Sequence, residues 1–123
     1  KIMRSWLKPT RTKMMCATDA AWLAGFFDGE GSLCKYFAGR NKKYITWVFT
    51  IANTNLPSLV YCNKITGVGK PRVKIKSTAK RKTCYEWRVA SQNDMVSVCQ
   101  QILPYLTIKK DRVQKFLNNW KPF

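Results

Sequence analysis

Three small residues, Ala21, Gly25 and Gly29, recur every fourth position in an otherwise apolar segment, and the series ends beside two acids, Asp28 and Glu30. Positions four apart share one stripe of a helix. A stripe without side chains lets another backbone approach closely, so the segment predicts a tight helix–helix contact. Trp22, Leu23, Phe26 and Phe27 are expected to pack around it. Thr18 before Asp19-Ala20-Ala21 reads as an N-cap with a favourable charge at the helix start, which predicts a helix over 19–29.

The acids matter because they are scarce. The chain has 123 residues, 23 Lys and Arg against 6 Asp and Glu, and a formal charge of +17. A polyanion is the default partner of such a chain. An acidic knot within it points to a metal ion. Histidine is absent, which excludes Ser-His and Cys-His nucleophilic catalysis and nucleases with a histidine base. Carboxylate, lysine, arginine and metal-bound water remain. The five cysteines (16, 34, 62, 84 and 99) show no C-x-x-C spacing. They read as reduced, mostly buried thiols in an intracellular setting, and a zinc site is disfavoured. Apolar residues make up 46% of the chain, enough for a real core, yet no apolar run is long enough for a membrane span. A first residue Lys1 suggests a missing or trimmed start.

Residues 1–17 carry five cations and no acid and read as a basic N-terminal arm, solvated or touching DNA. Residues 18–123 read as one domain. After Gly31 the hydrophobic period changes to two. Over 44–52, Ile45, Trp47, Phe49 and Ile51 take one face, and Tyr44, Thr46, Val48 and Thr50 the other. Strands are also expected over 32–38, 72–76 and 83–90, each with an apolar face and a polar or basic face. Asn55-Leu56-Pro57 opens a second helix that ends at Gly67. Ser91 or Asn93 caps a third, running to Leu103 before Pro104. A last amphipathic helix spans about 109–120. The order α-β-β-α-β-β-α-α gives an α+β domain, with helices on one sheet face and the other face open and basic.

Between Glu30 and Glu86 lie 12 Lys or Arg and no acid, seven of them within 70–82. Alternation puts Arg72, Lys74 and Lys76 on one strand face, shared with Arg88 if pairing is in register, with nothing acidic to neutralise them. Such a face suits double-stranded DNA read in the major groove. Single-stranded or structured RNA would also accept it.

The run Leu23-Ala24-Gly25-Phe26-Phe27-Asp28-Gly29-Glu30-Gly31 resembles the nonapeptide of the LAGLIDADG homing endonucleases. Residues 44–53 resemble that family's second strand, and Gly67-Val68-Gly69 its glycine break. Leu103-Pro104-Tyr105-Leu106-Thr107-Ile108-Lys109-Lys110 resembles its P-x-L-x-x-K segment, and together the matches cover about 18–120 in order. The resemblance implies a saddle-shaped antiparallel sheet astride DNA. A single motif in a chain of this length implies a homodimer on nearly palindromic sites, its subunits touching through Ala21, Gly25 and Gly29. It further implies Glu30 as the metal-binding acid, paired with its symmetry mate around divalent cations, Mg²⁺ foremost, with the Gly29 carbonyl as a further ligand. Asn53 falls where the family often places a water-positioning Gln or Asn, and Lys109 where it places a positively charged residue near the scissile phosphate. Asp28 is given a structural role. Tyr36, Arg40, Tyr44, Thr46, Thr50, Arg72, Lys74, Lys76 and Arg88 are the expected DNA contacts.

Three departures stand out: Glu rather than Asp at position 30, Asn rather than Gln at 53, and Gly rather than Ala at 29. None removes a required chemical group. The expected partners are double-stranded DNA and a second copy of the chain, with no membrane and no small-molecule substrate. A non-cleaving regulator or RNA maturase on the same fold is the alternative. A basic ribosome-associated protein would leave Glu30 and the small-residue stripe unexplained.

Overall fold

A computed structural model describes residues 10–42 and 44–120. The elements are α1 (Ala17–Glu30), β1 (Gly31–Ala38), β2 (Tyr44–Asn53), α2 (Leu56–Thr66), β3 (Arg72–Ile75), β4 (Cys84–Val89), α3 (Gln92–Ile102) and α4 (Lys110–Asn119), with 3₁₀ turns at Arg40–Lys42 and Leu103–Tyr105. The expected α+β order is the order found. The strands form one antiparallel sheet in the order β1-β2-β4-β3.

The period-two pattern sorts this sheet into two faces. Leu33, Trp47, Phe49, Ile51, Trp87 and Val89 turn toward the helices and are buried. Phe27 of α1 lies flat on Phe49 at 4.3 Å, Trp87 meets Phe49 edge-on at 5.9 Å, and Phe116 of α4 meets Trp47 at 5.1 Å. Each fully buried side chain of this size contributes about 3 kcal/mol. The Trp87 indole N–H donates to the Val68 carbonyl at 2.9 Å. That contact requires Gly69, whose φ is +75°; a Cβ there would lie 2.5 Å from Trp87 Nε1 and 2.6 Å from the Arg88 carbonyl.

Capping follows the sequence unevenly. The Asn55 side chain accepts the Ser58 N–H at 2.9 Å and opens α2, and Gly67 closes it in the left-handed region. The Thr18 signal misleads: α1 is already helical at Ala17, with Cys16 as an N-cap lacking a side-chain bond. Residues 16–18 are exposed, so the first N–H groups of the helix face water, and the chain before them is anchored by tertiary bonds. Lys13 N–H donates to the Thr66 carbonyl at 2.8 Å and Met15 N–H to Gln101 Oε1 at 2.7 Å. Asp94 Oδ1 accepts from Thr10 Oγ1 at 2.9 Å and from Arg11 N–H at 3.0 Å. Residues 10–15 thus strap α2 to α3, while most of the expected basic arm, residues 1–9, lies outside the described residues. Ser91 is the N-cap of α3 through its backbone alone, and the helix tightens into the 3₁₀ turn at Leu103, where Pro104 supplies no N–H.

Two apolar strand faces expected in the core are not there. Val73 and Ile75 of β3 are 49% and 39% exposed, because the helical layer ends over β4 and leaves this edge strand uncovered. Ile45 pairs with Phe37 and both are more than half exposed, since the β1–β2 hairpin outruns the helices. No helix among the described residues is long and apolar enough to cross a membrane.

Candidate active site and nucleic-acid interface

The junction of α1 and β1 has no loop. Helix ends at Glu30, Gly31 donates its N–H to the Phe27 carbonyl, and the strand begins at Gly31. Only glycine fits there: a Cβ would lie 2.0 Å from Phe27 Cδ1. Gly31 pairs with Ile51, so Glu30 lies beside the end of β2, where Asn53 stands.

Asp28 organises this corner. It is buried, and its carboxylate accepts from Thr107 N–H (2.8 Å), Thr107 Oγ1 (3.1 Å) and Lys109 N–H (2.9 Å). Burial opposes its charge, but the N–H groups of Lys109 and Thr107, the Thr107 hydroxyl and the Ile108 N–H together outweigh it and hold the carboxyl below its ordinary range. Lys109 closes the loop by donating Nζ–H to the Asp28 carbonyl at 2.7 Å, with its ammonium 5.9 Å from the Phe27 ring centroid. Two residues of the motif therefore seat Lys109 at the carboxyl end of α1, next to Gly29 and Glu30. That helix end carries partial negative charge, which favours cations. Thr107, which sequence reasoning missed, supplies two of the three bonds; its place in the P-x-L-x-x-K segment was the available signal.

Glu30 is exposed, and among the described residues its carboxylate has no hydrogen bond or ion pair. Asn53 is partly committed: Oδ1 accepts the Asn55 N–H at 2.8 Å, in the turn that opens α2. No cluster of three His, Cys, Asp or Glu forms among the described residues. At this corner the described residues thus offer the Glu30 carboxylate and the carbonyls of a helix end, hard oxygen donors of the kind Mg²⁺ takes.

Ala21, Gly25 and Gly29 are exposed along α1. A Cβ added to Gly25 or Gly29 would meet nothing within 4 Å, so the stripe faces away from its own chain. Leu23 and Phe27 do not flank it as expected; they are sealed in the core because they point to the sheet. Trp22 and Phe26 do flank it, 5.3 Å apart, and Trp22 abuts Tyr61 at 4.9 Å. The Tyr61 hydroxyl donates to Asp19 Oδ1 at 2.6 Å, which holds the phenol above its ordinary range.

The sheet face opposite the helices carries Tyr36, Tyr44, Thr46 and Thr50 from the hairpin and Arg88 paired with Thr50. Arg40 sits in the exposed turn at the hairpin tip. Arg72 pairs with Glu86 and so shares the face of Arg88. Lys76 leaves that series: the register shifts between Val73 and Ile75, and β3 ends before it. The face is also not free of acid. Glu86 lies 3.3 Å from Arg88 and 3.7 Å from Lys74.

No protein-family model and no curated protein matches the chain. Solved structures do. The homing endonuclease I-CvuI in complex with its target is similar at a TM-score of 0.70 and 24% identity, over 83% of this chain and 65% of that one. The archaeal intron-encoded homing endonuclease I-Vdi141I complexed with DNA is similar at 0.63 and 18%, over 82% and 65%. The group I intron-encoded homing endonuclease I-CeuI complexed with DNA is similar at 0.65 and 15%, over 87% and 58%. The chain spans at most 65% of the length of these structures. With its single sheet, its four helices and its motif helix running straight into β1, this chain has the fold of the LAGLIDADG homing endonucleases.

Proposed function

We propose that the chain is one subunit of a homodimeric, Mg²⁺-dependent endonuclease that cuts double-stranded DNA at a long, nearly palindromic site. The observation that carries this reading is the carboxyl end of α1: a Glu30 unpaired among the described residues, beside a seated Lys109, at the rim of an exposed small-residue stripe. Packing two copies of α1 along that stripe brings two Glu30 carboxylates together and completes a donor set that one chain lacks. The solved structures similar to this chain include I-CvuI on DNA in the presence of calcium and of magnesium.

Divalent cations bound by Glu30, its symmetry mate and the Gly29 carbonyls would supply a Lewis acid for the phosphate and a water of lowered pKa. The chain's own residues do the rest. Lys109 places a positive charge beside the phosphate oxygens where negative charge develops. Asp28 holds that lysine in place through the backbone on both sides of Ile108. Asn53 keeps its amide nitrogen available to orient a water while its oxygen fixes the turn. The basic sheet face tracks the duplex on either side of the cut.

The test is cleavage of a randomised duplex-DNA library with Mg²⁺, against a Glu30→Gln control, with sequencing of the cut ends. The expected result is a long, nearly palindromic consensus cut by the wild type only. A wild type that binds nucleic acid but never cuts, or a Glu30→Gln variant that cuts equally well, overturns the reading.

A further inference from the structure

Among the described residues the open sheet face carries one carboxylate, and it stands among cations. Glu86 sits on β4, an inner strand, opposite Ala52 of β2 and Arg72 of β3. It is 9% exposed. One carboxylate oxygen lies 3.3 Å from the Arg88 guanidinium and the other 3.7 Å from Lys74 Nζ, while both cationic side chains stay about half exposed. A face built only to hold phosphates gains nothing from this acid, which repels them and cancels positive charge. Fold stability is a weak reason too, since pairs with half-exposed partners are worth little and burying the acid itself costs desolvation. The acid therefore calls for a role in recognition.

We propose that Glu86 sets sequence specificity by positioning Arg88. A guanidinium is a rigid fork of five N–H donors. With one terminal nitrogen drawn into an ion pair by Glu86, the remaining donors are oriented before DNA arrives, in a form that matches the O6 and N7 acceptors of guanine in the major groove. Lys74 anchors the second oxygen and fixes the carboxylate. Orienting a flexible side chain in advance removes part of its ordering cost on binding. Without Glu86, Arg88 turns to the nearest phosphate, a contact that positions the protein but reads no base. The inference rests on the duplex-DNA reading above.

The experiment is selection of bound sites from a randomised duplex library in EDTA, so that binding is read without cleavage, using wild type, Glu86→Gln, Arg88→Ala and the double variant. Arg88→Ala should erase a G·C preference at one position, or at two related by symmetry. Glu86→Gln should weaken the preference at those same positions by about 5- to 10-fold, within the range a single base contact carries. The double variant should match Arg88→Ala alone. Glu86→Gln should also bind random duplex more tightly and steepen the salt dependence by about one counterion, as Arg88 gains a phosphate. If Glu86→Gln does not fold, Arg88→Lys carries the test: keeping the charge but losing the fork should relax the same positions at an unchanged salt slope. A preference that survives Glu86→Gln, or Arg88→Lys in its place, overturns this inference alone. A wild type that selects no consensus overturns it together with the duplex-DNA reading.

Discussion

Replacing Asp28 by Asn tests the corner that seats Lys109. The wild-type carboxylate accepts three hydrogen bonds, from Thr107 N–H, Thr107 Oγ1 and Lys109 N–H. Asn keeps one acceptor oxygen and turns an amide N–H₂ toward a group that must donate. One charge-assisted bond is lost, and a partly buried backbone N–H is left without its acceptor. Hydrogen bonds to charged groups are worth about 1.5–3 kcal/mol, and an unsatisfied buried group costs about 1–3 kcal/mol. The expected loss is about 3 kcal/mol, a large part of the total stability of a domain this size. In urea, followed by tryptophan fluorescence at pH 7, it should lower the unfolding midpoint by about 1.5 M at an unchanged slope. The pH dependence adds a second check. The folded-state pKa of Asp28 is depressed, so its stabilisation is present above the unfolded carboxylate value of about 3.9 and is lost as pH falls through the lower folded value. The gap between wild type and variant should therefore narrow steadily below about pH 4. An unchanged midpoint at pH 7, or a gap that stays constant down to pH 2, refutes the reasoning.

Gly31→Ala should destabilise the fold by about 1–3 kcal/mol in the same assay, because its Cβ would collide with the Phe27 ring, which is itself stacked on Phe49; an unchanged midpoint contradicts the close approach. Gly25→Leu should leave the monomer fold intact, since nothing lies within 4 Å of its Cβ, yet abolish the dimer in light scattering. Native Cys62 and Cys99 should resist alkylation at pH 8 while exposed Cys16 reacts, because burial pushes the Cys62 thiol up to about 12 and the Cys99 thiol higher still. Mass spectrometry of the labelled chain reads this directly.

What the sequence made legible depended on range. The Asn55 cap with Pro57 and the alternation from Trp47 to Ile51 are local signals, and each appears in the fold as read; the fourfold spacing of Ala21, Gly25 and Gly29 likewise places them on one exposed stripe of α1. The candidate site was legible as a motif, yet its geometry was not. Asp28 reaches Thr107 across 79 residues, a contact no local period encodes. The strap of residues 10–15 was hidden for the same reason: its bonds run to Thr66, Asp94 and Gln101. The register shift between Val73 and Ile75 removed Lys76 from the face that strict alternation assigned it. Glu86 was visible as an acid alternating with Arg88. Its pairing with Lys74 depends on where β3 docks, and a short, uncovered edge strand announces that poorly.

The central claim is that two copies of α1 build one cutting site. Total strand scission of a selected DNA site, nicks included, should be measured as Glu30→Gln protein is co-refolded with wild type in increasing proportion at constant total concentration. If both acids of a randomly formed pair are needed, activity falls as the square of the wild-type fraction, to about a quarter at an equal mixture. A linear fall, to about half, would mean that each chain cuts with its own acid and would contradict the account.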